Sequence, residues 1–357
     1  MTTSPVDLDA TRAKAQLLSS YLAGAVSTAM IHLGDALGLY AAMNGAGPLT
    51  SAELATRTGL SERWLREWMR QQCAALVLDY RGDERFELTA ETALCVADEK
   101  SIFSVIGSFD SFPLQMQRLP DLKDSFHTGL GSSYDDRGAE GARAIERMLG
   151  PTHRTMLVPA FLPQLEGVVE NLRAGARVAD VGCGGGLALI EMAKAFPASQ
   201  FAGYDTSVHA LVRATANAAE AGVTNVTFHE AIGDPLPAAP TFDLIVTFDC
   251  LHDMTHPEPV VAAIRQALKP DGTWFIADIN GAATLEENLA NPRSATMWGI
   301  SIMNCMASGL STADGAGLGT LGLPEPAMKD LVAGAGFSRF RRVPINHPIN
   351  AYYEARI

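Results

Sequence analysis

Cysteine is scarce. The five thiols in 357 residues, Cys73, Cys95, Cys183, Cys250 and Cys305, form no CxxC pair and no metal-ligand spacing. That argues against a disulfide framework and against a structural zinc module, and it points to reduced thiols in the cytoplasm. No metal is expected. Positive charge is also short: 27 basic residues stand against 40 acidic ones, a net charge of −13. Divided at position 170, the first part carries 15 basic and 22 acidic residues and the second 12 and 18, so neither is basic. A phosphate-backbone binder needs a cationic footprint, and nucleic acid is not an expected partner. Met1 to Ala10 has two acids and no basic residue, unlike a signal peptide. No apolar run is expected to reach the roughly 18 residues of a membrane span, so no membrane partner is expected either. What remains, 47% hydrophobic and 19% charged residues, is the composition of an ordinary globular chain able to bury one large or two ordinary cores.

The chain divides into three parts by pattern. In residues 1–97, Thr11 to Leu39 lacks proline and has apolar residues on more than one helical face, which predicts one or two helices, with Gly24 and Gly34 as possible breaks. A helix apolar on several sides needs cover, and a second copy of the chain is the expected cover. Thr50 or Ser51 can cap a helix over 52–58 that stops at Gly59, and Ser61 can cap a second through Trp64, Leu65, Trp68 and Met69. Ala75–Tyr80 and Arg85–Leu88 flank Gly82-Asp83, a hairpin signal. Helix, helix and hairpin in this order make a winged helix, which can bind DNA or serve as a dimerisation module. Arg63, Arg66 and Arg70 on the second helix suit DNA, whereas Glu62, Glu67, Trp64 and Trp68 do not. Residues 98–170 read as a helical connector broken by a Gly- and Ser-rich loop, 128–136, that carries Tyr134. Such a loop can cover a site or be a plain surface turn.

Residues 171–357 change period. Strand-like runs at 177–181, 200–204, 226–229, 244–248 and 273–279 alternate with helical stretches at 187–195, 209–221 and 257–268. That alternation predicts an α/β domain with a parallel sheet covered on both faces. Two final runs, 337–343 and 351–357, read as a terminal antiparallel hairpin.

The strongest local signal is the run from Val178 to Gly186. A strand ends in Asp180-Val181 and a turn follows with Gly182, Gly184 and Gly186. A dinucleotide loop would read G-x-G-x-x-G. The tighter G-x-G-x-G with an acid two residues upstream suits an amino-acid ammonium and a nucleoside better than a pyrophosphate. Asp205 ends the next strand, 19 residues beyond Gly186, where a carboxylate can accept both ribose hydroxyls. A tight strand–helix turn with a capping aspartate is the purely structural alternative.

Asp180 to Gly186 resembles the first motif of class I S-adenosylmethionine (SAM)-dependent methyltransferases, and Asp205 resembles their ribose acid. The resemblance extends over nearly the whole chain to an actinobacterial subgroup with an N-terminal winged helix, through the stretches 126–134, 248–254 and 317–320. More distantly, the chain is similar to plant-type small-molecule O-methyltransferases, which dimerise through that module. The resemblance implies a Rossmann-like sheet of seven strands with an antiparallel last strand, a homodimer, SAM as donor and S-adenosylhomocysteine as product. Thr206, Gly233, Asp234, Phe248, Asp249 and Tyr134 complete the expected cofactor set. One departure stands out: Ile232 falls where the family often places an adenine-binding acid, and Asp234 could substitute for it.

Methyl transfer from a sulfonium needs alignment, a dry pocket and often a base. Phe248-Asp249-Cys250-Leu251-His252-Asp253 ends the fourth strand, and the His252-Asp253 pair resembles the catalytic pair of the plant-type enzymes. His252 is the expected base, since an imidazole titrating near ~6.5 can accept a proton; a polar gap-filler is the alternative. Asp278, ending the fifth strand, could orient it. Trp298, Met303 and Met306 are expected to line an acceptor pocket or simply to fill the core. The expected activity is methylation of oxygen or nitrogen on a small aromatic or apolar metabolite. The rivals are a SAM-responsive winged-helix regulator and an enzyme that uses SAM without methyl transfer.

Overall fold

A computed structural model describes residues 6–357, which divide into two compact units, one ending at Pro113 and the other covering Leu114–Ile357. The first begins with a single helix, α1 (Leu8–Ala36), capped by the Asp7 carboxylate on the amides of Asp9 and Ala10. Neither Gly24 nor Gly34 divides it. Gly34 is needed instead for packing: a Cβ there would lie 2.5 Å from the Trp68 ring. The expectation of no membrane-length run is corrected here. Ala15 to Gly34 contains no Asp, Glu, Lys or Arg, and α1 is long and apolar enough to cross a membrane by length and composition. Scattered Ser, Thr and Gly had masked that length. Leu17, Leu18, Tyr21, Leu22 and Val26 on this helix are all exposed.

The winged-helix order follows. A short helix α2 (Leu39–Met43) leads to α3 (Ser51–Thr58), where Thr50 and Glu53 form a reciprocal capping box and Gly59, at φ 73°, supplies the left-handed stop. In α4 (Glu62–Ala74), Leu65, Trp68 and Met69 face the core. The hairpin is shorter than its apolar runs suggested: β1 (Asp79–Tyr80) pairs antiparallel with β2 (Phe86–Glu87) around Gly82, Asp83 and Glu84, all at positive φ. A last helix, α5 (Ala90–Val96), is capped by Thr89.

The second unit is built on seven strands in the order β5-β4-β3-β6-β7-β9-β8. These are β3 (Arg177–Val181), β4 (Gln200–Asp205), β5 (Val226–Glu230), β6 (Phe242–Phe248), β7 (Leu268–Ile279), β8 (Arg339–Arg342) and β9 (Asn350–Arg356). The first five are parallel, and β9 runs antiparallel between β7 and β8. Alternation fills both faces. Val178, Leu244, Val246, Phe275 and Ala277 pack on one side with Leu157, Leu189 and Met192. Ala179, Ile245, Trp274 and Ile276 pack on the other with Val261, Ile264, Met328 and Val332. Because β3 and β6 are central and buried on both faces, their carboxyl ends open between layers of helices. The order reverses between β3 and β6, so the turns after these strands border one crevice. Two π-helical turns, His153–Phe161 and Ser301–Cys305, occur in this unit, a geometry often found at functional sites.

Candidate active site

Chain reversal after β3 is done by glycine. Gly182, Gly184 and Gly186 adopt φ of 77°, 53° and 73°, a region costly for residues with a Cβ. The three differ in their surroundings. A Cβ on Gly182 would meet the Cys250 side chain at 2.7 Å, and one on Gly186 would meet the Phe228 ring at 2.8 Å. A Cβ on Gly184 would meet nothing within 4 Å, so the middle of the loop faces open space. Behind the loop, Glu146 holds Arg213 through two bonds of 2.6 and 2.9 Å, and Asn217 donates both to Glu146 and to the Gly185 carbonyl, at 2.9 Å each. Sequence reading had no reason to join these three residues, which are separated by as many as 71 positions.

Asp205 ends β4 beside this loop. Its carboxylate accepts from the amides of Gly184 and Ser207, both at 2.8 Å, and also from that of Thr206. Thr206 therefore contributes its backbone. Burial still pushes the Asp205 carboxyl above its ordinary range. Asp180, 2% exposed, leaves Oδ1 with no partner. Burial, aided by the neighbouring Asp205 charge, raises its pKa to about 8. Beyond β5, Glu230 accepts the amides of Ile232 and Gly233, both at 2.8 Å. His229 Nδ1 lies 2.6 Å from Asp234 Oδ2, and the imidazole stacks on Tyr204. Ile232 is 79% exposed on this loop.

Phe248 closes β6 within the core, against the rings of His153 and Phe275. Asp249 follows at φ 53°, its carboxylate hydrogen-bonded by Asn350. Burial and the Asp278 charge raise its pKa to about 7. His252 and Asp278 are both buried, with Nδ1 to Oδ1 at 2.7 Å. Burial alone would lower the imidazole pKa, but the Asp278 carboxylate outweighs it and holds the group well above its ordinary value. Asp253 is pushed up to about 6 by burial, against the pull of His252 and a hydrogen bond from Tyr134.

The loop bearing Tyr134 is fastened at several points. Asp135 accepts the Ser207 hydroxyl at 2.8 Å, Gly131 N donates to Leu310 O at 2.8 Å, and Ser132 N donates to Ala307 O at 2.9 Å. Tyr134 itself sits beneath the Arg137 guanidinium, at 3.9 Å, with its hydroxyl 3.8 Å from Cys305 Sγ. Tyr134 thus stands at the His252–Asp253 end of the crevice. Cys305, on the second π-turn, also hydrogen-bonds His252. Nothing in the sequence marked it. Trp298, Met303 and Met306 are half-buried on the same segment as Cys305. Four buried or nearly buried acids, Asp180, Asp205, Asp249 and Asp253, have raised pKa values. Asp180 and Asp205, neighbours at the glycine turn, are the pair suited to a cationic ligand.

Comparison with known proteins gives two domain matches. Residues 172–314 match the family model described as a methyltransferase domain, and residues 25–97 match the Rv2258c-like winged HTH domain. The ubiquinone biosynthesis O-methyltransferase of Leptothrix cholodnii is 32% identical over 132 residues, 36% of this chain and 54% of that protein. The chain spans about half the length of the curated relatives it matches. Two solved structures share the fold along nearly all of both chains. An O-methyltransferase family protein from Burkholderia thailandensis has a TM-score of 0.69 at 17% identity, covering 99% of this chain and 98% of its own. Human N-acetylserotonin methyltransferase in complex with SAM has a TM-score of 0.69 at 16% identity, covering 100% and 99%.

Proposed function

We propose that this chain, a methyltransferase domain joined to a winged-HTH domain, transfers a methyl group from SAM to an oxygen or nitrogen of a small aromatic or apolar metabolite. The observation that carries the reading is the unpaired Oδ1 of buried Asp180 near Asp205, whose carboxylate holds the amide of Gly184, the loop glycine that faces open space. SAM is cationic at both its ammonium and its sulfonium, and its ribose offers two hydroxyls. Asp180 would stabilise the positive charge and Asp205 would accept the hydroxyls, while the amides of Ile232 and Gly233 are already committed to Glu230. The exposed Ile232 offers an apolar surface to adenine, and Asp234 a carboxylate held by His229. When bound, SAM supplies an electrophilic methyl. In its neutral form His252 would take the acceptor's proton at Nε2, while Asp278 fixes the tautomer at Nδ1 and stabilises the imidazolium that forms. Tyr134, Trp298, Met303 and Met306 would shape the acceptor side. Release of S-adenosylhomocysteine together with a product heavier by one methyl tests the reading; SAM binding without either product would contradict it.

The winged-HTH match also supports a DNA-binding reading, but its charges favour a different role. Arg63, Arg66 and Arg70 on α4 pair with Glu67, Glu62 and Glu84 at 2.6–2.9 Å, leaving little for phosphate. The exposed apolar side of α1 supports homodimerisation, and the five free thiols suit the cytoplasm.

A further inference from the structure

Three donors of different chemistry converge where the acceptor's proton would go. The ligand atoms of His252, Asp253 and Cys305 all lie within 4.8 Å of one another. All three residues are at most 9% exposed. They come from two elements far apart in sequence: the short helix Leu251–Asp253 after β6 and the π-turn Ser301–Cys305. Asp278 bonds Nδ1 of the imidazole at 2.7 Å and leaves Nε2 for another partner. A carboxylate behind a histidine is also the arrangement that orients metal-binding imidazoles. Nitrogen, oxygen and sulfur donors together suit a borderline-soft ion, and zinc takes such sets tetrahedrally with bonds of about 2.0–2.3 Å. The donors need draw together by only roughly an ångström to reach that geometry.

We propose that His252, Asp253 and Cys305 form a zinc site, and that the ion and the acceptor's proton exclude each other at His252. On coordination the Cys305 proton and the proton held at His252 Nε2 both pass to solvent, zinc takes up the freed Nε2 lone pair, and the base is lost until the ion leaves. Tyr134 Oη, 3.8 Å from Sγ, stands beside the position left for a fourth ligand. Zinc would therefore be an off-switch of the enzyme and not its cofactor.

Chelator-treated full-length protein titrated with Co2+ should develop a thiolate-to-cobalt charge-transfer band and tetrahedral d–d absorption, saturating at one ion per chain and displaced by zinc. Cys305→Ser should lose the charge-transfer band and weaken zinc by more than about 100-fold, since outer-shell changes alone cost roughly 10–100-fold. Asp253→Asn should keep the thiolate band while weakening zinc by at least about 10-fold. S-adenosylhomocysteine affinity near the wild-type value in both variants would show that the fold persists. Absence of the band in wild type, or its survival in Cys305→Ser, overturns the proposal. Inhibition rests on the methyl transfer proposed above: one equivalent of zinc should stop it in wild type. The cobalt spectrum is predicted whether or not the chain transfers methyl, so the two readings can fail separately.

Discussion

His252 Nδ1 and Asp278 Oδ1 lie 2.7 Å apart, both buried, with Asp278 also accepting the amide of Ile279 at 2.7 Å. The carboxylate that ends β7 therefore fixes which nitrogen of the imidazole faces the crevice. Two residues separated by 26 positions become one unit because β6 and β7 are adjacent parallel strands.

Removing that unit separates chemistry from binding. His252→Ala should lower turnover by about 10²–10⁴-fold, the usual contribution of a positioned base. Its S-adenosylhomocysteine affinity, read by calorimetry, should stay close to wild type. Asp278→Asn should lower turnover in the same direction while the fold is retained. Near-normal turnover in His252→Ala would remove it as the base.

Cofactor affinity should depend on pH through Asp180. Its raised pKa, about 8, means that the free protein carries this carboxyl largely protonated at neutral pH. A cationic ligand favours the carboxylate, so binding should release a proton near pH 7 and tighten as pH rises towards 8. Calorimetry in buffers of different ionisation enthalpy reads that proton. Asp180→Asn should reduce the release.

Asp205→Ala removes hydrogen bonds to ribose and to the Gly184 amide together. Hydrogen bonds to a charged group contribute about 1.5–3 kcal/mol each, so a loss of SAM affinity of at least tenfold is expected. Unchanged affinity would contradict the ribose assignment.

The two glycines should separate fold from site. Gly186→Ala places a Cβ 2.8 Å from Phe228 at φ 73°, and thermal unfolding should show a loss of about 1–3 kcal/mol. Gly184→Ala, at φ 53°, bears the same backbone strain but meets no neighbour, so it should lose less stability than Gly186→Ala and lose cofactor affinity as well.

If α1 is covered by a second copy, Leu18→Glu with Leu22→Glu should yield monomers by light scattering. A dimer that persists would place the interface elsewhere.

Much of the sheet was legible because its strands are short apolar runs between helix caps. Arg177–Val181 and the helix Leu187–Ala195 were read to the residue, and the acids at strand ends, Asp180, Asp205 and Asp278, follow from where each run stops. The membrane-scale length of α1 is hidden in the sequence because small polar residues interrupt its apolar surface without adding charge. Cys305, Glu146, Arg213 and Asn217 were not legible at all. Each acts through a partner between 53 and 71 positions away, and no local period or spacing encodes such a meeting. In the sequence Tyr134 is only an isolated aromatic; the anchoring of its loop brings it to the His252 end of the crevice.

The central claim is that the crevice at the carboxyl ends of β3 and β6, bordered by Asp205 at the end of β4, holds an adenosine linked to a charged amino acid. Calorimetric titration of the full chain with S-adenosylhomocysteine tests it most directly. Saturable binding at one ligand per chain, weakened in both Asp180→Asn and Asp205→Ala, is the predicted result. No measurable heat or competition at saturating concentrations of either S-adenosylhomocysteine or SAM would contradict it.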